Sequence, residues 1–230
     1  MNGLLTVVPP LAPGVHLRRP TLALPFPLNA ARVRVFSRAR QALFQGLGRL
    51  GLSDGHAVLV PAYHHGAEIE AYFRAGLGLR WYEARPDLAP DPAELEALVD
   101  SSVRALHLTH YLGFPQDARV WREWCDARRL MLIEDVAQGW LGTDGVEPLG
   151  ARADLAVFSL HKSIGVPDGG AAALRGELIP PDREGANGWP ALLGRHLAWL
   201  AGRVGPLGRW WKEPAASTAG DFALGDPNES

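Results

Sequence analysis

Between residues 37 and 174 the chain alternates short apolar runs with amphipathic stretches. Ala42, Leu43, Leu47 and Leu50 recur at helical spacing, which predicts a helix over 37–50 with Ser37 as its cap and Gly51 as its stop. Ala57-Val58-Leu59-Val60 reads as a buried strand ending at Pro61. Ile69, Tyr72 and Phe73 share the face of a second helix, which Gly76 closes. Residues 79–82 read as another strand. Asp91-Pro92-Ala93-Glu94 then opens a helix, with an acid at the N-cap, proline at the first helical position and glutamate at capping-box spacing. Residues 103–108 are predicted as a strand, and Asp117 opens a helix through Trp121, Trp124 and Cys125. Residues 130–133, 155–158 and 171–174 complete the set of strands.

Strands alternating with helices predict an α/β fold: three layers, α/β/α, around a mostly parallel sheet covered on both faces. In such sheets ligands sit beyond the carboxyl ends of the strands. The informative residues are therefore Tyr63-His64-His65, His110-Tyr111, Glu134-Asp135 and Ser159-Leu160-His161-Lys162.

The flanks read differently. Six prolines in residues 1–30 predict an extended arm. The α/β domain is expected over 31–185. Trp189, Leu192, Leu193, His196, Leu197, Leu200, Val204, Leu207 and Trp211 return to helical spacing. They predict an amphipathic segment over 186–211, broken at Pro206. Residues 212–230 are polar and predict a flexible tail. There is no internal repeat.

Composition narrows the function classes. With 47% hydrophobic and 21% charged residues the chain is not disordered as a whole. A net charge of −2 supplies no global positive field to recruit nucleic acid. A single cysteine, Cys125, excludes an internal disulfide framework. No apolar run approaches a membrane span, and Met1-Asn2-Gly3-Leu4-Leu5 lacks the basic start of a signal peptide. A soluble cytoplasmic protein is expected, with neither membrane nor nucleic acid as a partner. Among 23 basic residues only Lys162 and Lys212 are lysines. A lysine that survives this arginine bias inside an apolar, glycine-flanked segment invites a chemical question.

Lys162 follows an apolar strand. A lysine desolvated there can act as a Schiff-base nucleophile; the other reading is a loop lysine in water. Asp135 ends an apolar strand and suits a cationic ring nitrogen, a metal or a helix cap. Gln138, three residues on, shares its face if a helical turn begins there. His56, His64, His65, His107, His110 and His161 raise the possibility of a metal, but no HxxxH or CxxC spacing supports one. No GxxxxGK[ST] motif is present, and no GxGxxG follows the first strand. The N-terminus of the first helix, with Arg38 and Arg40, offers an anion either backbone N–H groups and charge, or only a solvated surface.

Taken in order, VLVPAYHHGAEIEAYFRAGL, VRALHLTHYLGFPQD, LMLIEDVAQGW and GARADLAVFSLHKSIGVPDGG resemble the DegT/StrS-type pyridoxal-phosphate aminotransferases, many of which aminate nucleotide-linked keto-sugars. The resemblance spans about 33–175. It implies the large domain of a fold type I transferase that binds pyridoxal 5′-phosphate and works as a homodimer on an amino donor and a keto-sugar. It also implies roles. Lys162 would be the catalytic lysine, joined to the cofactor and moving protons. Asp135 would pair with the ring nitrogen and Gln138 lie near the ring hydroxyl. Ser159 would bind phosphate, and His65 would replace the aromatic residue that stacks on the ring. Arg38-Ala39-Arg40 stands where the family usually has a Ser-Gly-Thr phosphate loop, which makes Arg40 the candidate phosphate contact. The family's small C-terminal domain is expected to be missing or vestigial. A second expectation is therefore a truncated, non-catalytic homologue, a weak cofactor binder or an interaction subunit.

Overall fold

The computed structural model describes residues 22–166 and 169–175, with a few isolated positions outside those ranges. The expected segments 186–211 and 212–230, and most of the proline-rich arm, lie outside the described residues.

Seven strands form one sheet: β1 (Val33–Phe36), β2 (Ala57–Pro61), β3 (Gly78–Tyr82), β4 (Val103–Thr109), β5 (Met131–Asp135), β6 (Leu155–Ser159) and β7 (Gly170–Leu174). Their order is β1-β7-β6-β5-β4-β2-β3. Strands β2 to β6 pair in parallel, and β7 runs antiparallel to both β6 and β1. Four helices cover them: α1 (Ala39–Arg49), α2 (Gly66–Arg74), α3 (Pro92–Leu98) and α4 (Ala118–Arg128).

The period-2 pleat assigns the faces. Val58, Val60, Ala105, Ile133, Leu155 and Val157 pack against Leu43 and Leu47 of α1 and Ala71 and Tyr72 of α2. Their neighbours Leu59, Leu106, Leu108 and Leu132 pack against Leu95 of α3 and Trp121 and Cys125 of α4. Beside this second face Phe158, Trp140 and Leu149 form a further cluster with Phe26 and Leu28. The described end of the arm is thus docked: the Trp140 indole donates to the Phe26 carbonyl at 2.9 Å.

The glycine stops behave as expected. Gly51 and Gly76 have φ of +71° and +73°. Leu52 N–H closes on Leu47 C=O, and Leu77 N–H on Tyr72 C=O, as left-handed C′ glycines permit. Two caps differ. The N-cap of α1 is Arg38, whose N–H donates to Gln41 Oε1 at 2.9 Å. The Ser37 hydroxyl caps nothing and is buried without a hydrogen-bond partner. At α3 the Asp91 cap forms, accepting from Ala93 N–H at 2.8 Å. Glu94, expected to complete a capping box there, instead accepts the Glu83 N–H after β3 at 3.0 Å. The pairing of edge strand β1 with β7 was not foreseen, because four residues beside a proline-rich segment carry little periodic signal.

Candidate functional site

Strands β4, β5 and β6 run one residue or more past their apolar runs, since a polar residue still pairs its backbone in the ladder. Each ends on a polar residue: Thr109, Asp135 and Ser159. Thr109 is in register with Asp135, and Asp135 with Val157. These ends lie on the α1/α2 face and floor a pocket of about 920 Å³. Its walls include Arg38 and Arg40 from the start of α1, His64, His65 and Glu68 around the start of α2, and His161 and Lys162 after β6. The sequence-predicted residues Lys162, Asp135, Gln138, Ser159, His65 and Arg40 all line this one pocket.

Their local settings differ. Asp135 Oδ1 accepts the Ala137 N–H at 2.8 Å, which fixes the carboxylate at the strand end. Ser159 is buried, and its Oγ lies 3.3 Å from His161 Nδ1. That nitrogen is also 3.2 Å from the Gly169 carbonyl, which can only accept. His161 Nδ1 is therefore the donor, and the Ser159 O–H remains able to donate elsewhere. Lys162 closes a 3₁₀ turn (Leu160–Lys162) and is solvent-exposed, not desolvated.

His65 is the N-cap of α2. Burial, helped by Lys162 and His64, holds its imidazole below the ordinary histidine range, so the neutral ring is favoured. Gln138 does not sit on a helix continuing from Asp135. Gly139 and Gly142 turn the chain there, and the Gln138 Oε1 accepts the Leu112 N–H at 2.9 Å, which ties two pocket loops together.

Sequence reasoning passed over Glu68. Its Oε1 accepts the His65 N–H at 3.0 Å and lies 3.9 Å from His64 Nδ1. Burial first, and Asp135 second, push its carboxyl up to about 8. The His65-x-x-Glu68 spacing of a capping box was the available signal. Tyr72, beneath Asp135, was also missed, and His107 was weighed only as a metal ligand. Among the described residues no three His, Cys, Asp or Glu side chains converge as a metal site would require.

A phosphorylated pyridine fits this donor set. The α1 N-terminus brings a positive dipole end and two arginines to one wall, and a carboxylate stands on the floor. Strand β7 comes so close that a Cβ on Gly170 would fall 2.3 Å from the Arg38 carbonyl carbon. That approach fixes the start of α1 at the pocket.

The fold is that of the sheet domain of fold type I pyridoxal-phosphate proteins. The chain belongs to the DegT/DnrJ/EryC1/StrS aminotransferase family, whose model matches residues 28–179. It is 27% identical over 171 residues to the 3-oxo-glucose-6-phosphate:glutamate aminotransferase of Bacillus subtilis, covering 72% of this chain and 38% of that protein. It is 23% identical over 155 residues to the GDP-perosamine synthase of Vibrio cholerae, covering 66% of this chain and 42% of the relative. Among solved structures, Bacillus subtilis NtdA with bound cofactor PMP superposes with a TM-score of 0.58 at 28% identity, covering 63% of this chain and 33% of that one. The chain thus spans about two fifths of the length of these curated relatives.

Proposed function

We propose that this chain is the cofactor-binding domain of an aminotransferase that uses pyridoxal 5′-phosphate to pass an amino group from a donor to a keto-sugar. The observation that carries the reading is the shared pocket: a strand-end carboxylate, a hydroxyl free to donate, a lysine, and a cationic helix N-terminus. When bound, the cofactor supplies an electron sink and a carbonyl that carries the amino group.

The chain's own residues supply the rest. Asp135 Oδ1 is already engaged, so its other oxygen is the one available to a cationic ring N–H. The Ser159 O–H, the first turn of α1 and Arg40 would hold the phosphate. His65 would offer its neutral ring as a stacking plane. Gln138, held by Leu112, would border the ring hydroxyl. The Lys162 amine would attack a carbonyl when neutral and hold a proton when charged.

Exposed Tyr63, Leu112 and Phe114 near the pocket, together with exposed Lys162, support a second copy covering the mouth, hence a homodimer. No helix among the described residues is long and apolar enough to cross a membrane. We read the protein as cytoplasmic.

The acceptor would be a sugar carrying phosphate, either as a simple ester or through a nucleotide. The exposure of Lys162 also favours a second reading, a subunit that binds the cofactor without turning it over. A single-turnover assay separates the two. Protein loaded with pyridoxamine phosphate is mixed with a nucleotide-linked or a singly phosphorylated keto-sugar, and products are read by mass spectrometry. An amino sugar from either acceptor supports the transferase and names the class. Cofactor uptake with no amino sugar from either supports the binding subunit.

A further inference from the structure

Beneath the pocket floor lies a fully buried polar chain. The Tyr72 hydroxyl, on α2, sits 2.5 Å from His107 Nδ1, on β4. The ring's other nitrogen, Nε2, is 3.2 Å from Thr109 Oγ1 and 4.0 Å from Asp135 Oδ2. Tyr82 donates its O–H to the His107 carbonyl at 2.8 Å and pins the backbone. Tyr72 and His107 expose almost nothing to solvent, and His107 lines the pocket from below.

The proton positions follow from the partners. Burial, aided by Glu68 and Asp135, keeps the Tyr72 phenol far from ionising, so it carries its proton. Among the described residues His107 Nδ1 is the only hydrogen-bond partner of that hydroxyl. Tyr72 is therefore the donor and Nδ1 the acceptor. Burial also lowers the His107 pKa to about 4; Asp135 opposes this, while His64 and His110 add to it. The ring is thus neutral near pH 7, and a neutral imidazole that accepts at Nδ1 carries its hydrogen on Nε2. That N–H faces Thr109 and Asp135. At 4.0 Å the second contact is electrostatic rather than a hydrogen bond.

We propose that Tyr72 and His107 are positioning residues for Asp135: the Tyr72 hydroxyl fixes the Nε2–H tautomer of His107, and that N–H orients the Asp135 carboxylate toward the cofactor's ring nitrogen. The proposal rests on the cofactor reading above. It assigns a task to two residues that the proposed function leaves without one. Their pattern explains why β4 carries polar residues at 107 and 109, two apart on the face that Ala105 keeps apolar.

Two measurements test it. Long-range proton–nitrogen correlation spectra of the cofactor-free protein at pH 7 report the tautomer directly. Wild type should show His107 with hydrogen on Nε2, and Tyr72→Phe, which deletes one oxygen and keeps the packing, should lose that preference. Titration with pyridoxal phosphate, followed by absorbance, reports the consequence. Tyr72→Phe and the double variant Tyr72→Phe/His107→Leu should weaken binding several-fold, the scale of one neutral hydrogen bond lost from the support of Asp135. His107→Gln, which keeps an N–H donor, should restore most of it.

Hydrogen on Nδ1 in wild type overturns the proposal, as does unchanged affinity in both Tyr72 variants while wild type binds. A wild type with the expected tautomer that takes up no cofactor overturns the cofactor reading, and with it the assigned task. The tautomer and affinity arms therefore separate the two failures.

Discussion

Glu134 and Asp135 are chain neighbours of the same charge at the end of one strand, and the structure uses them in opposite ways. Glu134 faces away from the pocket and is wholly buried. Its Oε2 accepts from His110 Nε2 at 2.9 Å and from the Gly150 N–H at 3.0 Å. His110 Nδ1 in turn accepts the Gln116 N–H at 3.0 Å, so its Nε2 is the donor. Gly150 reaches the carboxylate with φ of +88°, where an added Cβ would crowd Ala156 and Phe158 at 2.8 Å. Oε2 is thus held from two sides, Oε1 is buried with no hydrogen-bond partner, and the side chain does not line the pocket. Asp135, one residue on, keeps one oxygen on the backbone and lines the pocket with the rest. One step of the pleat separates a residue that holds the fold from one placed for chemistry.

The comparison breaks most clearly on stability. Glu134→Ala strands a buried imidazole N–H and a backbone N–H, and should cost about 3–5 kcal/mol in urea unfolding. Asp135→Asn keeps the acceptor for Ala137 N–H, and should shift stability by less than about 1 kcal/mol. Its effect should fall on pyridoxal phosphate affinity. Equal destabilisation by the two substitutions would erase the distinction.

Glu68 sharpens the contrast from inside the pocket. Its native pKa is raised to about 8 from an ordinary 4.5. Between those values the unfolded chain has released a proton that the native state keeps. Stability is therefore lost as pH rises through that window. Glu68→Gln retains the oxygen that accepts the His65 N–H and removes the titration. It should be near-neutral at pH 4.5 and stabilising by about 4 kcal/mol at pH 8, a shift visible in thermal melts at the two pH values. A difference independent of pH would remove Glu68 from the buried pocket. Arg40→Ala is the mildest change. It should weaken pyridoxal phosphate binding roughly tenfold while leaving unphosphorylated pyridoxal alone, because only the phosphate uses the guanidinium.

Much of the frame is legible in the sequence. Strand-end placement brought Asp135, Ser159 and Lys162 together because parallel strands gather their carboxyl ends on one edge, and Gly51 and Gly76 marked helix ends through the backbone conformation they alone tolerate cheaply. What escaped was partnership. Glu94 and Gln138 were given near neighbours in sequence, yet their hydrogen bonds go to Glu83 and Leu112, which local spacing does not report. Tyr72 read as one more core position on a helix face. Its hydroxyl acquires meaning only from His107, 35 residues away. Strand β1 escaped for a related reason: its pairing with β7 is a long-range contact, and its own four residues carry little pattern.

The most direct test of the account is a pyridoxal phosphate titration of the 230-residue chain followed by visible absorbance, borohydride reduction and peptide mass spectrometry. The account predicts a yellow band that saturates, is fixed by borohydride with the added mass on Lys162, and is absent in Lys162→Ala. A colourless protein at saturating cofactor, or label on Lys212 or the N-terminus with Lys162 unmodified, would contradict it.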